Sequence, residues 1–250
     1  RALRLFGRTD DAGQLMGGYE DFMFENQLEA AEKLLEILPK KELIERKTTI
    51  ICASLDSVVV TDAVCRGLNL SYEMLFSEPI PAPNNSECNV AIVSETEDIV
   101  LNDPLIKAFN ISYDYIYGEA HRKYEEKILK NVYKYRKGNL IGELKDKNIL
   151  LIDEGCETGM TALICIKTLL DVKVKSISYA MPVIATDVFT NLNDMVDEIY
   201  TINKIVDFID VDSYYEKKIE ATSERIMSIL EESPYYLPLQ KQQGDKNNAI

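Results

Sequence analysis

Short apolar runs alternate with amphipathic stretches along the chain, and this alternation predicts an α/β protein. The apolar runs predict strands at residues 48–53, 71–76, 148–152, 175–181 and 198–202. Apolar residues at helical spacing predict helices at residues 25–38, 58–68, 114–137, 186–192 and 213–230. The run at 148–152 is apolar on both faces, so we expect a central parallel strand covered by helices on both sides.

Turn signals divide the remaining chain. Residues 90–93 and 99–102 predict a hairpin, and the three prolines in residues 77–85 predict a loop or hood segment. Pro182 predicts the end of the strand at 175–181, while Thr186 and Ser213 are predicted to cap helices. We expect an N-terminal arm (1–23), one domain (24–232) and a flexible, polar tail (233–250).

The strongest chemical signal is the stretch NILLIDEGCETGMTA at residues 148–162. Ligands of open α/β sheets bind beyond the carboxyl ends of strands, and this strand ends at Asp153 and Glu154. The turn that follows leads into a helix with a predicted apolar face of Leu163, Ile166 and Leu170. Its residues are Gly155, Cys156, Glu157, Thr158, Gly159, Met160 and Thr161. Small residues, hydroxyls and first-turn N–H groups predict a phosphate site.

The two acids would repel a phosphate, so Asp153 and Glu154 are expected to face sugar hydroxyls or a Mg²⁺ ion. Acids and turn together describe a site for a ribose 5-phosphate. A Walker P-loop requires a Lys after its second glycine, and this stretch has none. The dinucleotide-binding fingerprint requires a third glycine, which is also absent. The alternative is a turn whose glycines and threonines serve only to begin the helix.

Composition limits the partners. A formal net charge of −14 argues against nucleic acid and anionic membranes, which are bound through Lys and Arg. No apolar run reaches the ~20 residues of a membrane-spanning helix, and no signal peptide is visible. The five scattered cysteines predict reduced thiols in a cytoplasmic protein, without disulfides or a zinc site. The only histidine, His121, lies on a charged helix face, which disfavours a histidine-based hydrolase.

The strand, the acid pair and Thr158-Gly159-Met160-Thr161 resemble the signature of the type I phosphoribosyltransferases. Residues 24–215, including KSISYAMPVIATDV and VDEIY, are similar to a branch of predicted phosphoribosyltransferases without a settled acceptor. The resemblance implies a central parallel sheet flanked by helices, a small hood, Mg²⁺ as cofactor and phosphoribosyl pyrophosphate as ligand. Asp153 and Glu154 would hold the ribose and residues 156–161 the 5-phosphate. Glu157 matches an acid that acts on the base in purine-using members.

The turn Ala53-Ser54-Leu55-Asp56-Ser57 departs from the family pattern. The resemblance implies that it binds pyrophosphate, yet it lacks the Pro-Arg-Gly-Gly of related proteins. An aspartate within ~4 Å of a pyrophosphate charge costs on the order of 4 kcal/mol at an effective dielectric of 20, unless a cation intervenes. Ser54 and Ser57 can donate hydrogen bonds, and Ser57 is also predicted to cap the next helix. Ser77 and Glu78 replace an Arg-Lys pair.

Two functions stay open. One is transfer of the phosphoribosyl group to an unknown acceptor, with Asp153 and Glu154 positioning the ribose and Glu157 assisting proton transfer. The other is a non-catalytic, regulatory ligand-binding protein; either form is compatible with a homodimer. Three aromatic side chains could either stack on the acceptor or pack in the core: Phe208, Tyr214 and Tyr215. Three cations could either complement the C-terminal dipole of the predicted helix at 114–137 or contact ligand phosphates: Lys134, Arg136 and Lys137.

Overall fold

The computed structural model describes residues 22–240. Residues 1–21, most of the predicted N-terminal arm, and residues 241–250, the end of the predicted tail, lie outside the described part. Within residues 22–240, no helix is long and apolar enough to cross a membrane.

Five parallel strands form the central sheet, in the order β2-β1-β6-β7-β8. They are β1 (Thr49–Cys52), β2 (Tyr72–Met74), β6 (Asn148–Ile152), β7 (Ser176–Ala185) and β8 (Glu198–Ile205). Three further strands, β3 (Ser77–Ala82), β4 (Asn85–Ser94) and β5 (Ile99–Leu101), form a second, antiparallel sheet in the order β3-β4-β5. The predicted parallel sheet is confirmed, as is the predicted hairpin, which is formed by β4 and β5.

Helices cover both faces of the central sheet. They are α1 (Gln27–Ile37), α2 (Lys40–Glu45), α3 (Val58–Leu68), α4 (Asp103–Ala108), α5 (Tyr113–Lys123), α6 (Leu129–Arg136), α7 (Met160–Asp171), α8 (Thr186–Asn193) and α9 (Ser223–Glu232). A π-helical turn (Tyr124–Ile128) joins α5 to α6, and a 3₁₀ turn (Val211–Tyr214) precedes α9. Alternate strand residues feed two cores, with Ile50 and Leu150 packed in the core with α1 and α3, and Ile51 and Leu151 in the core with α7 and α8.

Two predictions based on proline are wrong. Residues 77–82 are not a loop but form β3, and only residues 83–84 form a turn. β3 is an edge strand, where a missing N–H need not cost a ladder hydrogen bond, and Pro81 lies at an irregularity in its pairing with β4. Pro182 does not end β7, which continues to Ala185. The pairing of β7 with β6 ends at Ala180, so Pro182 lies beyond that ladder while β7 stays paired with β8.

The cap predictions also need correction. Thr222, not Ser213, caps α9 by accepting a hydrogen bond from the N–H of Arg225 at 3.3 Å. Ser213 lies in the 3₁₀ turn. Ala185, not Thr186, is the residue that precedes α8 at its N-cap position, and no side-chain cap is formed there.

The apolar face of α7 is rotated from the predicted one. Ile166 is buried and Leu163 is half-buried, but Leu170 is 55% exposed and Leu169 is buried in its place. Because α7 packs against the second sheet as well as the central sheet, its buried stripe is set by two surfaces.

The folded part of the chain extends past the predicted boundary at residue 232. Ser233 and Tyr236 are buried, and the N–H of Tyr72 donates to the carbonyl of Tyr235 at 2.9 Å. The segment after α9 therefore lies along β2, so the tail cannot begin at residue 233.

Candidate functional site

The predicted acid pair and the predicted pyrophosphate turn lie side by side. Strands β1 and β6 are neighbours with Cys52 opposite Ile152, so the residues that follow them leave the same edge of the sheet. The hydroxyl of Ser54 donates to Glu154 Oε2 at 3.0 Å and to Asp153 Oδ1 at 3.4 Å. The sheet thus brings together two segments that are about one hundred residues apart in sequence.

The acid pair is held by neutral donors. Asp153 is buried, and its carboxylate also accepts from the N–H of Glu154 and from the hydroxyl of Tyr179, each at 3.2 Å. Neither carboxylate forms an ion pair with any residue in the described range 22–240. Burial raises the pKa of Asp153. Burial and the adjacent charge of Asp153 raise the pKa of Glu154 well above its ordinary value, so the pair favours retaining a proton unless a cation or a hydrogen-bond donor binds beside it.

The turn between β6 and α7 is open at its centre. Glu157 and Thr158 are exposed, and their N–H groups have no acceptor within the described residues, nor does the N–H of Thr161. Gly159 begins α7 with φ +78°, a conformation that L side chains rarely adopt. These free N–H groups therefore lie at the N-terminus of α7, where the helix dipole is positive.

Cys156 differs from the rest of this turn. Its N–H donates to the carbonyl of Val183 at 2.9 Å, and its carbonyl accepts from the N–H of Ala185 at 3.0 Å. Both backbone groups are thus used to anchor the turn to β7, so the N–H of Cys156 is not free to bind a phosphate. Burial raises the pKa of the Cys156 thiol to about 12, so this group stays neutral and unreactive.

The turn after β1 closes on itself. The hydroxyl of Ser57 donates to the carbonyl of Ser54 at 2.9 Å and accepts from the N–H of Ser54 at 3.1 Å. The N–H of Ser57 donates in return to the hydroxyl of Ser54 at 3.1 Å. Ser57 therefore does not cap α3, contrary to the prediction, because its side chain is fully buried inside the turn.

Asp56 adds a further negative charge to this region. Burial and the charge of Asp212 raise the pKa of Asp56, and Asp56 in turn contributes to the raised pKa of Glu154. On the other turn, burial and the charge of Asp210 raise the pKa of Glu157. The carboxylates at the end of the sheet thus repel one another, which favours any cation or proton donor placed among them.

A small hood lies beside the site, formed by residues 22–26 and 206–222. Phe24 pairs with Tyr215, whose hydroxyl donates to the carbonyl of Glu154 at 2.7 Å. Tyr214 and Tyr215 are buried, and Phe208 is half-buried against Tyr214, so these rings belong to the core and not to a stacking surface. The sequence analysis missed the supporting roles of Tyr179 and Tyr215. Their hydroxyls bond to Asp153 and to the carbonyl of Glu154, and the sequence offered no signal for these contacts beyond the presence of a tyrosine.

The three cations at the end of α6 differ in their exposure to solvent. Arg136 is fully buried, forms an ion pair with Glu95, and places its guanidinium 4.8 Å from the ring centroid of Phe76. It is therefore not available to a bound phosphate. Lys134 and Lys137 are exposed.

Comparisons with known proteins identify similar structures. No protein-family model and no curated protein sequence matches the chain. The crystal structure of TT1426 from Thermus thermophilus is similar, with a TM-score of 0.66 and 23% identity over 84% of this chain and 98% of that one. This likeness concerns the fold. The architecture also agrees with the sequence resemblance, in that a signature turn follows the central strand of a five-stranded parallel sheet.

The five-stranded parallel sheet flanked by helices agrees with the fold that the sequence resemblance implies. Weaker structural matches include the Leishmania donovani hypoxanthine-guanine phosphoribosyl transferase, at 10% identity and a TM-score of 0.39 over 74% of this chain and 83% of that one. The Trypanosoma cruzi hypoxanthine phosphoribosyltransferase matches at 9% identity and a TM-score of 0.41, over 78% of this chain and 86% of that one. These two TM-scores are too low to carry an argument.

The sequence resemblance to phosphoribosyltransferases raises the question of Mg²⁺. Residues 22–240 contain no group of three or more His, Cys, Asp or Glu side chains arranged to hold a metal ion. Mg²⁺ usually keeps several waters and takes only one or two carboxylates together with substrate phosphates. Asp153 and Glu154, which lack a cationic partner within the described residues, fit that incomplete kind of site and not an all-protein one.

Proposed function

We propose that this protein binds a phosphorylated pentose at the carboxyl ends of β1 and β6. The observation that carries the proposal is the open row of N–H groups at Glu157, Thr158 and Thr161, beside an acid pair with no cationic partner among residues 22–240. The N–H groups and the α7 dipole favour the 5-phosphate. Carboxylates accept hydrogen bonds from vicinal hydroxyls, so Asp153 and Glu154 are assigned to the ribose.

The reaction we assign to this site transfers the phosphoribosyl group of phosphoribosyl pyrophosphate to an acceptor, with release of pyrophosphate. Asp153 and Glu154 orient the ribose, and the turn at 157–161 fixes its phosphate end. Glu157 is exposed next to this turn and its pKa is raised, so it is suited to exchange a proton with the acceptor. Mg²⁺, held by Asp153 or Glu154 together with ligand oxygens, would offset the negative charge of site and ligand.

One observation favours the second candidate, a non-catalytic protein that binds a ribose 5-phosphate compound. In the turn after β1, the hydroxyls of Ser54 and Ser57 are engaged within the turn and with the acid pair, and Asp56 adds negative charge. A departing pyrophosphate gathers charge in the transition state, so a weak site for it limits catalysis more than binding.

Calorimetry with phosphoribosyl pyrophosphate and with ribose 5-phosphate, each with and without Mg²⁺, tests both candidates. A preference for the pyrophosphate compound that requires Mg²⁺ would support the transferase. Equal affinity for the two ligands would support the non-catalytic protein. Failure of both ligands to bind would overturn the proposal. If phosphoribosyl pyrophosphate binds, incubation of isotope-labelled donor with a panel of bases would identify the acceptor.

The variant Thr158→Glu supplies the site control. Thr158 is exposed, so the variant should fold, but its carboxylate would face the position assigned to the 5-phosphate. We expect it to lose ribose 5-phosphate binding, whereas the same change at the exposed Thr190 on α8 should not.

A further inference from the structure

A separate cleft of about 570 Å³ lies between the start of α1, the first turn of α3 and residues 217–225. Its walls include Gln27, Val59, Lys217, Lys218, Glu220 and Arg225. None of the residues 153–161 lines it, so it is distinct from the site assigned to the sugar phosphate. Its volume falls within the roughly 300–1,000 Å³ of small-molecule sites.

The charge of this cleft is opposite to that of the protein. Three cations and one carboxylate line it, whereas the chain as a whole carries a formal net charge of −14. Lys218 has no ion-pair partner among residues 22–240, and Arg225 Nη1 lies a loose 3.8 Å from Glu220 Oε2. Lys217 is held 2.5 Å from Glu25, on the rim beside α1. The cleft therefore forms a local positive potential that attracts anions.

The first turn of α3 adds donors to the same cleft. Val59 lines the cleft, and the N–H groups of Val59 and Val60 have no acceptor in the described part of the chain. Ser57 forms no side-chain cap, and the first turn of this 11-residue helix contains no acidic residue. The positive end of the α3 dipole thus faces the same cleft that the three cations line.

We propose that this cleft binds a small anion with two adjacent phosphate groups, either inorganic pyrophosphate or the diphosphate of a nucleotide. Lys218, the loosely paired Arg225 and the helix N-terminus offer separate donors, as two adjacent phosphate groups require. Phosphate oxygens accept from Lys, Arg and backbone N–H groups alike. The side chain of Gln27, which lines the cleft, donates to the carbonyl of Asp56 at 2.7 Å. The cleft therefore adjoins the closed turn after β1 from a side that Asp56 and the acid pair do not line.

Calorimetry on the full chain without Mg²⁺, with pyrophosphate and with ADP as probes, tests this site. In the double variant Lys218→Glu/Arg225→Glu, affinity for the probe should fall at least tenfold. The matched control is Lys40→Glu/Lys41→Glu on α2, which changes the net charge equally and includes a similarly loose pair, Lys41 to Glu45 at 3.8 Å. Tighter binding of ADP than of pyrophosphate would assign the site to a nucleotide, and the reverse order would assign it to the free anion.

The proposal would be overturned if neither probe bound, or if the two double variants lowered affinity equally. Thr158→Glu separates this site from the sugar-phosphate site: it should abolish ribose 5-phosphate binding and leave pyrophosphate binding intact. Loss of both ligands in Thr158→Glu would show a single site and refute the cleft. Ribose 5-phosphate binding that fails in the wild type would refute the proposed function and leave the test of the cleft unaffected. Thermal melts verify that each variant is folded.

Discussion

The two turns at the carboxyl ends of β1 and β6 are neighbours in space but differ in construction. In the turn after β6, the N–H groups of Glu157 and Thr158 have no acceptor in the described part of the chain, and Gly159 has a positive φ. In the turn after β1, Ser54 and Ser57 satisfy each other and no residue is glycine. N–H groups without an acceptor among residues 22–240 also occur in the turn after β1, at Leu55 and Asp56. The two turns therefore differ in glycine content and in internal hydrogen bonds, and not in the presence of free donors.

This difference separates binding from catalysis. A phosphoribosyltransferase must hold both the 5-phosphate and the departing pyrophosphate. Asp56 in the turn after β1 would repel a pyrophosphate, whereas Gly159 lets the backbone of the turn after β6 approach a phosphate closely. Neither turn contains a Lys or Arg residue, whereas the separate cleft is lined by Lys218 and Arg225. The following predictions test how far the two turns differ, from the largest expected effect to the smallest.

Gly159→Ala should damage the open turn most. A Cβ at this position would lie 2.9 Å from Val188 Cγ1, and the φ of +78° costs a non-glycine residue roughly 1–2 kcal/mol. We expect lower stability and at least a tenfold loss of ribose 5-phosphate affinity, measured by denaturation and calorimetry. Gly118→Ala is the control, since nothing lies within 4 Å of its Cβ on α5, and it should stabilise the helix by roughly 0.5–1 kcal/mol. Unchanged affinity in Gly159→Ala would contradict the assignment of the turn.

Glu154→Gln should raise the melting temperature at neutral pH. Burial and Asp153 raise the pKa of Glu154 well above its ordinary value of 4.5, so the folded protein loses stability as pH rises through the raised pKa. The variant lacks that ionisation, and its advantage should vanish as pH falls toward 4.5. Mg²⁺ should raise the melting temperature of the wild type more than that of the variant. If Glu154→Gln were less stable than the wild type at neutral pH, the ionised Glu154 would have stabilising partners in the folded protein, and the prediction would be wrong.

Ser57→Ala should open the closed turn. The substitution removes a buried hydroxyl that bonds both the carbonyl and the N–H of Ser54, and we expect a loss on the order of 1 kcal/mol in the free energy of unfolding. Ser228→Ala, which removes an exposed hydroxyl bonded to Glu232, should change stability by less than about 0.5 kcal/mol. Equal effects from the two serines would mean that the turn is not closed in solution.

Asp56→Asn should slightly increase the affinity of the turn after β1 for pyrophosphate. Removing this charge should raise the affinity for phosphoribosyl pyrophosphate relative to ribose 5-phosphate by roughly twofold to fivefold without Mg²⁺. Asp146→Asn is the control, because Asp146 is exposed before β6 at the opposite end of the strand and its φ of +59° suits asparagine. No change in the affinity ratio would place the pyrophosphate away from this turn.

Much of the fold could be predicted because its strongest signals are local. The run at 148–152 and the stretch at 58–68 match β6 and α3 in the structure, since each is bounded by clear turn or polar residues. The errors arose where tertiary pairing overrode a local signal. Prolines were compatible with β3 because it is an edge strand, and Pro182 was compatible with β7 because β6 had already ended.

The candidate site was predictable in its residues and less so in their roles. Asp153, Glu154 and residues 157–161 lie together as expected, because the end of one strand positions them all. That Cys156 uses both backbone groups on β7, and that Ser57 faces inward and not toward α3, depends on neighbours far away in sequence. The cleft at Lys218 and Arg225 could not be predicted, because its walls come from three separate segments.

The segment after α9 has a consequence for any shortened form of this protein. β2 is an outer strand of the central sheet, and Tyr235 and Tyr236 pair with its Tyr72. Removing residues from 233 onward would uncover hydrogen-bonding groups that another molecule can pair with. A truncated protein is therefore expected to self-associate in solution, and fusion partners are better attached beyond residue 240.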